Sequence, residues 1–499
     1  NSYIYSVNRE DVVATSYDTL HTIMQDSISG TQDNLRKRVS AVKYFRYLTT
    51  VDTFYRDYDH AAYYSYDIAG NVKGLYHHFP MLTRYQQQYK SVHYDYDLIS
   101  GKVNMLSYNR GFADQFYQRY EYDVDNRITK VESSQDGIIW QRDAGYEYYQ
   151  HGPLARMSLG DLRVQGVDYV YTIQGWLKAI NSDFMTPAND AGKDGDTSSV
   201  YANDAFAMTL QYFLDDYESI GGDTSVLRLP ERANKNLYNG NISRQVTNIN
   251  SLPPLAANYT YDQLNRINKT NYDAVFGAQD SLDAVEDYFS SFSYDPDGNL
   301  LKLKRRGNGT GSSVGGISFL MDSLTYEYST IAHNNRLVKL TDSAVDNYTN
   351  DIKYDTTTFE KFQYDETGNL VKDLISRQDT IKWNLYNKVI RTENRAGLNN
   401  MDFFYDGAGN RISKVYNQQH DTFNSNEGDY YVRDAQGNIL ATYKSEMRYK
   451  YVKIIAYKNI NDQIRTHVGT GPFISYVEGT YHVNNDMATA ISNVIAGNS

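Results

Sequence analysis

The chain has 499 residues, with 61 acidic against 49 basic side chains and a formal net charge of −12. A nucleic-acid partner needs a basic face, and the longest basic run, "LKLKRRG" (Leu301 to Gly307), reads as a solvated strand end, so nucleic acid is excluded as an expected partner. There is no cysteine, which removes disulfides, thiolate nucleophiles and thiolate metal sites, and no apolar run approaches the roughly 20 residues of a membrane-spanning helix. The 49 tyrosines outnumber 18 Phe and 3 Trp together by more than two to one, while proline is scarce at 8. A large amphipathic ring suits a pleated, half-buried surface, so the composition leans all-β.

In chain order, residues 1–62 form an N-terminal segment. It starts "NSYIYSVNRE" with no Met and no signal pattern, which reads as a cut end. "VNREDVVATSYDTLHTIMQDSISGTQDNL" (Val7 to Leu35) reads as irregular and "RVSAVKYFRYLTTVDTFY" (Arg38 to Tyr55) as strand. Residues 63–182 then repeat one phrase: an aromatic strand end, Tyr-Asp, two variable residues, Gly-Asn and an aliphatic. Its copies run Tyr66-Asp67 to Gly70-Asn71-Val72, Tyr96-Asp97 to Gly101-Lys102-Val103 (one residue longer), and Tyr122-Asp123 to Asn126-Arg127-Ile128, followed by a degenerate "YTIQGWLK" at Tyr171. Residues 183–236 interrupt the run with a polar loop, "MTPANDAGKDGDTSS", and "DAFAMTLQYFLDDYESI", whose alternation favours a strand.

The repeat resumes over residues 237–443. Copies begin at Tyr261-Asp262 (to Asn265-Arg266-Ile267), Tyr294-Asp295 (to Gly298-Asn299-Leu300), Tyr364-Asp365 (to Gly368-Asn369-Leu370) and Tyr405-Asp406 (to Gly409-Asn410). Degenerate forms stand at Tyr238, Asn334, Asn384 and Val432, and "RRGNGTGSSVGG" (Arg305 to Gly316) reads as a flexible loop. Residues 444–499 leave the pattern, and "NNDMATAISNVIAGNS" (Asn484 to Ser499) predicts a short helix from an Asn cap.

The phrase has a direct physical meaning. Asp at the first position of a type I turn accepts backbone N–H bonds. Gly at the fourth position supplies a left-handed residue, which returns the chain as a bulged hairpin. Asn replaces Gly there because it tolerates that conformation better than other residues with a Cβ. Asp67, Gly70, Asp123, Asn126, Asp262, Asn265, Asp295, Gly298, Asp365, Gly368, Asp406 and Gly409 are therefore the candidate functional residues, as makers of shape. A single hairpin cannot bury its face. Successive hairpins should pair edge to edge into one long antiparallel sheet, which strand twist would coil. Strand alternation then sends every second side chain inward, and a chain so rich in Tyr predicts a lumen lined by mixed polar and aromatic groups.

Other chemistry reads as bland, and no catalytic, cofactor or metal residues are expected. The acids Asp280, Asp283 and Asp287 in "DSLDAVEDYF" read as a solvated acidic loop. "NDAGKDGDTSS" has the look of a calcium loop, but Gly192 takes a ligand position and the closing Glu is missing, so a plain loop is expected. His77 and His78 are adjacent and on a strand would face opposite ways, against a shared metal. HExxH does not occur, and the glycine-rich "GTGSSVGG" (Gly309 to Gly316), with no following Lys-Ser/Thr and no helix pattern, reads as a linker. Tyrosine stripes that could stack on sugars read first as cross-strand packing pairs.

The repeated phrase resembles the YD repeat of the Rhs family, which includes bacterial polymorphic toxins, the B and C components of insecticidal Tc toxins, and the animal teneurins. The resemblance runs from about Tyr63 to Tyr443. It extends to "HGPLARMSLGDLRVQGVDYVYTIQGWLKAINS" (His151 to Ser182) and "NLYNGNIS" (Asn236 to Ser243), which are similar to runs in bacterial Rhs proteins. It implies an all-β, spirally wound sheet forming a hollow shell or part of one. The implied role is structural and non-enzymatic: enclosing and helping to deliver a C-terminal toxin or other cargo. The implied partners are a cargo domain from the same original polypeptide and secretion-system components, and the implied location is secreted or on the bacterial surface. The alternative it leaves open is a teneurin-like surface adhesin or glycan-binding module. The family's Asp-Pro- and Gly-rich autoprotease motif is not found, so no protease residues are carried over.

Overall fold

The computed structural model describes residues 9–21, 31–48, 58–181, 190–197, 199–218, 236–276, 281–307, 320–329, 335–344, 352, 361–394, 399–419, 424–445, 452–458 and 464–470. Among them there is no α-helix, and a 3₁₀ turn at Pro80–Tyr85 is the one helical element. A first sheet has 20 strands, from Arg9–Tyr17 to Leu337–Asp342, and a second has 8, from Phe362–Tyr364 to Ile439–Ser445. Within each, every strand pairs antiparallel with its neighbours in sequence, so the chain is a continuous meander. The two sheets adjoin. Lys361 donates its N–H to the Val338 carbonyl at 2.8 Å, and the Tyr364 hydroxyl donates to the Leu337 carbonyl at 3.0 Å. A separate hairpin joins Val452–Lys458 to Ile464–Thr470.

The meander follows from the repeated corner. In every copy the Tyr faces the first residue of the returning strand, as in Tyr66 with Val72, Tyr122 with Ile128 and Tyr294 with Leu300. The register shifts by one residue just before that pair. This is the bulged hairpin that the turn chemistry predicts.

Some expectations change. The stretch read as irregular contains a strand, Arg9–Tyr17, paired with Val39–Leu48. Its charged opening, Arg9-Glu10-Asp11, hid an alternation in which Val12 and Ala14 pack against the core. Most of "DSLDAVEDYF" is not a loop: Ser281–Tyr294 is one long strand that includes Asp283 and Asp287, while Asp280 lies outside the described residues. The strand favoured within the interruption at 183–236 is present: Phe206–Gln211 belongs to the first sheet, bonded to Leu177–Ile180 and Arg244–Ile249. Arg305 and Arg306 end a strand, while Asn308 to Gly316 of the expected loop and the expected helix Asn484–Ser499 lie outside the described residues.

The meander coils until its last strands cover its first. Leu75, Val92, Tyr94 and Leu106 of the first sheet share one buried cluster with Ile412, Tyr430 and Val432 of the second. The opposite face of the same early strands buries Phe45, Tyr63 and Tyr76. Polar contacts cross the overlap as well. Arg46 reaches Asp402 at 3.4 Å and the Ile390 carbonyl at 3.1 Å. The Tyr108 and Tyr443 hydroxyls meet at 2.6 Å, and Ala435 donates its N–H to the Tyr94 hydroxyl at 2.8 Å. At this seam the two layers pack directly on each other. A cavity of about 340 Å³ remains at its edge, lined by Tyr58, Asp59, Met81, Asp402, Phe404 and Tyr430 among others.

Candidate functional site

Each of the twelve shape-making residues lies at a hairpin corner. Asp67 accepts the N–H groups of Gly70 and Asn71 at 2.6 and 2.8 Å, and the Asn71 amide at 2.9 Å. Asp295, Asp365 and Asp406 repeat the arrangement, accepting the N–H of Asn299, Asn369 and Asn410 at 2.7–2.8 Å together with each side-chain amide. Where the phrase ends Asn-Arg, the arginine takes the place of the amide. Asp123 accepts from Arg127 Nε at 2.7 Å and Asp262 from Arg266 Nε at 2.6 Å. The fourth corner residue is left-handed throughout: Gly298 at φ 94°, Gly368 at 96°, Gly409 at 81°, Gly70 at 104°, Asn126 at 62° and Asn265 at 60°. The Arg127 and Arg266 backbone N–H groups hold the Asp123 and Asp262 carboxyls below their ordinary range. The Asn299 amide and the Thr367 hydroxyl lead in doing so for Asp295 and Asp365. Degenerate copies keep the geometry with other acceptors: Thr172 Oγ1 takes the Trp176 N–H at 3.1 Å, and Asn384 Oδ1 takes the Lys388 N–H at 2.9 Å.

Reading the sequence missed what the tyrosine does. Its hydroxyl donates to the backbone carbonyl that opens the returning strand of the preceding corner. Tyr96 reaches Val72 at 3.0 Å, Tyr122 Val103 at 2.9 Å, Tyr148 Ile128 at 2.8 Å, Tyr294 Ile267 at 2.9 Å, Tyr328 Leu300 at 3.0 Å and Tyr405 Val389 at 2.7 Å. At one corner Trp383 Nε1 does the same to Leu370 at 2.7 Å, and at another the Arg433 guanidinium does so to Arg411 at 2.9 Å. Arginines of one corner also cover the tyrosine of the next, Arg127 over Tyr148 at 4.5 Å and Arg266 over Tyr294 at 4.7 Å. Each corner is thereby locked to the one before it, along one rim of the sheet. A signal existed in the sequence: the slot before Asp holds Tyr in every clear copy although Phe is common one or two residues earlier, so the slot requires a donor.

On that rim the second corner residue is apolar and open to solvent in five copies: Ile68, Leu98, Val124, Ile173 and Leu385 each keep more than four-fifths of their surface exposed. His77 and His78 face opposite ways, as adjacent residues of a strand do. His77 is buried against His60 at 3.1 Å, while His78 on the other face meets the Tyr58 hydroxyl at 2.6 Å. The loop read as plain carries two buried acids, Asp190 and Asp194, beside Asp168, Asp204 and Arg156. Burial and the neighbouring carboxylates push Asp204 up to about 8, and burial pushes Asp168 up to about 6 against the pull of Arg156. Among the described residues, Asp168, Asp190 and Asp194 are the group able to share a metal ion.

No family model matches the chain. Its fold is similar to that of TcdB2-TccC3 without its hypervariable C-terminal region, at TM-score 0.52 and 14% identity over 88% of this chain and 19% of that one. It is equally similar to a Photorhabdus luminescens Tc holotoxin pore, at TM-score 0.53 and 14% identity over 92% of this chain and 19% of the other. The chain thus spans about a fifth of those chains and shares their all-β, shell-like fold. In sequence, 98 residues, or 19% of the chain, are 38% identical to salivary gland surface protein 1 of Aedes aegypti, covering 3% of that protein. Among the described residues, no helix is long and apolar enough to cross a membrane.

Proposed function

We propose that the chain is a segment of a YD-repeat shell of the Rhs kind, which encloses and helps deliver a C-terminal toxin or other cargo. The observation that carries this reading is the self-covering coil: a meander of locked corners whose last strands pack on its first. Such a wall gains rigidity from repetition, and each unit needs only its neighbours. The likeness to Tc toxin chains supports a wall role, and the small share of those chains that it spans supports further repeats or a partner completing the enclosure. On this reading the chain performs no catalysis, and it acts as a secreted or surface-held bacterial protein with cargo and secretion components as partners.

The test uses the complete polypeptide that contains this chain. Any segment following residue 499 should resist protease while the seam is intact, and should become cleavable when the seam is broken by Val432→Asp. Equal sensitivity in both forms would contradict enclosure. The short match to a protein named as a salivary gland surface protein favours, as a second reading, an adhesin or glycan-binding module. Specific retention of the intact chain on a glycan array, with no protected cargo, would choose it.

A further inference from the structure

The loop that follows the first run of repeats folds back onto the sheet and delivers carboxylates to one buried point. Arg156 and Asp168 are direct cross-strand partners on Leu154–Leu159 and Gln165–Tyr171. Arg156 bridges Asp168 through Nη1 and Asp194 through Nη2, the latter at 2.6 Å. Asp190 accepts the Asp194 N–H at 3.0 Å and abuts Asp204, which stands just before the strand Phe206–Gln211. Two carboxyls therefore grip one guanidinium and two more lie beside them, all four at least nine-tenths buried: Asp168 is 5% exposed, Asp190 5%, Asp194 2% and Asp204 2%.

The cluster is incomplete as it stands. Asp190 Oδ1, Asp194 Oδ2 and Asp204 Oδ1 are buried with no hydrogen-bond partner. An orphaned carboxylate oxygen away from water is costly, and a like-charged neighbour makes it more so. Single oxygens such as Asp342 Oδ2 and Asn400 Oδ1 are orphaned elsewhere, but among the described residues three orphaned carboxylates meet only in this cluster. One ligand atom from each of Asp168, Asp190 and Asp194 lies within 4.8 Å of the others. Oxygens bound to one calcium at about 2.3–2.6 Å can be at most about 5 Å apart, so this spacing fits a shared ion.

Two glycines keep the space open. A Cβ at Gly166 would collide with Arg156 Nη2 and Asp194 Oδ2, and a Cβ at Gly192 would collide with Arg156 Nη1 and Asp168 Oδ2. Gly192, whose lack of a ligand atom spoke against a calcium loop in the sequence, is thus the residue that lets the backbone approach the acids.

We propose that Asp168, Asp190 and Asp194, with Asp204 beside them, bind a calcium ion that staples the loop at residues 190–204 to the sheet. All donors are hard oxygens, which suits calcium over softer metals. The formal charge of four carboxylates and one guanidinium falls from −3 to −1 when a divalent cation enters. The ion would also hold the strand Phe206–Gln211 in place, where the sheet must continue across the interruption. This inference stands on the cluster alone and does not depend on enclosure of a cargo.

The experiment titrates the intact chain with terbium, exciting tyrosine, since the Tyr201 ring lies 4.2 Å from the Arg156 guanidinium beside the site. Sensitised terbium emission should appear and be displaced by calcium chloride, and thermal unfolding in calcium chloride should occur at a higher temperature than in EDTA. Asp190→Asn should weaken calcium at least tenfold. Asp204→Asn guards against simple misfolding: at about pH 9, where the Asp204 carboxyl is ionised, removing a like charge should stabilise the chain in EDTA while weakening calcium at least tenfold. Asp125→Asn, on an exposed corner, should change neither readout. Identical unfolding in calcium chloride and EDTA, or a calcium response that survives both cluster variants, would overturn the proposal and leave an acid cluster held by shared protons.

Discussion

The seam and the middle of the first sheet use the same corners but differ in what holds their buried faces. At the seam a continuous apolar cluster is buried, with Val92 and Val432 fully enclosed and Leu75 and Ile412 nearly so. In the middle, the buried side chains include Arg244, Asn258, Thr270 and Asp273. Arg244, Asn258 and Asp273 form a lateral row: Arg244 Nε donates to Asn258 Oδ1 at 2.6 Å, and Asn258 Nδ2 donates to Asp273 Oδ2 at 2.7 Å. Lys178 and Asp216 make a similar buried pair at 2.7 Å. The difference shows what a covering layer does. Where a second sheet lies on top, apolar area is removed from water and stabilises by about 1.5–3 kcal/mol per large side chain. Where strands must satisfy themselves sideways, hydrogen bonds between neighbours do the work, and the sheet face stays compatible with water or an unstructured chain.

If the middle depends on lateral pairing, breaking one partner there should cost most. Asp216→Ala leaves the buried Lys178 ammonium without its carboxylate, and a loss of about 3–5 kcal/mol is expected in urea unfolding. At the seam, Leu75→Ala should cost about 2–5 kcal/mol, the usual range for a core cavity. The same truncation at the exposed Leu98, on the rim, should cost almost nothing. Equal effects of Leu75→Ala and Leu98→Ala would show that the seam is not packed.

Acid should act on the seam strands. Burial pulls His78 and His93 down to about 4, and pulls His60 and His77 below the ordinary value too. Between about pH 6.5 and 4 the unfolded chain binds protons that the folded chain refuses, so stability is lost as pH falls through that window. Hydrogen exchange should show early deprotection of residues 60–96 at pH 4.5 relative to pH 7. No change in their protection would contradict the buried, neutral state of these rings.

The corners themselves should give smaller effects, shared by both regions. Gly368→Ala puts a Cβ at φ 96° with only Arg336 nearby, at 3.6 Å, so the cost is backbone strain of about 1 kcal/mol or more. Tyr294→Phe removes one rung and should cost about 0.5–1.5 kcal/mol. Tyr294→Trp should recover part of that, because Trp383 fills the same slot at another corner.

The corners were legible because their chemistry is local: an acceptor, a left-handed residue and an aliphatic within seven positions, as in Asp295 to Leu300. The sheet order followed, since short turns leave neighbouring strands little choice of partner. The seam was not legible. Nothing in "RISKVYNQQ" or "GLYHH" says that Ile412 and Leu75 belong to one cluster, because their contact is set by the accumulated twist of the strands between them. The tyrosine rungs were half visible, in the donor-only slot before Asp, but their acceptors are backbone carbonyls that carry no sequence mark. The acid cluster was hidden for a related reason: Asp190 and Asp194 are local, whereas Asp168, Asp204 and Arg156 join them only after the loop folds back.

The coil can be measured directly, because the chain has no cysteine to interfere with site-directed spin labels. Leu98 follows Tyr94 by four residues and Gln436 follows Ala435 by one, and Tyr94 touches Ala435. Labels at Leu98→Cys and Gln436→Cys should therefore lie within about 30 Å by double electron–electron resonance, since four extended residues add at most about 14 Å. The strands Tyr89–Tyr96 and Asn424–Arg433 are the fifth and twenty-seventh in chain order. In an uncoiled ribbon, twenty-two spacings of about 4.8 Å would separate them by about 105 Å. A sharp short distance is the predicted result, and a distance beyond the range of the method would contradict the self-covering coil.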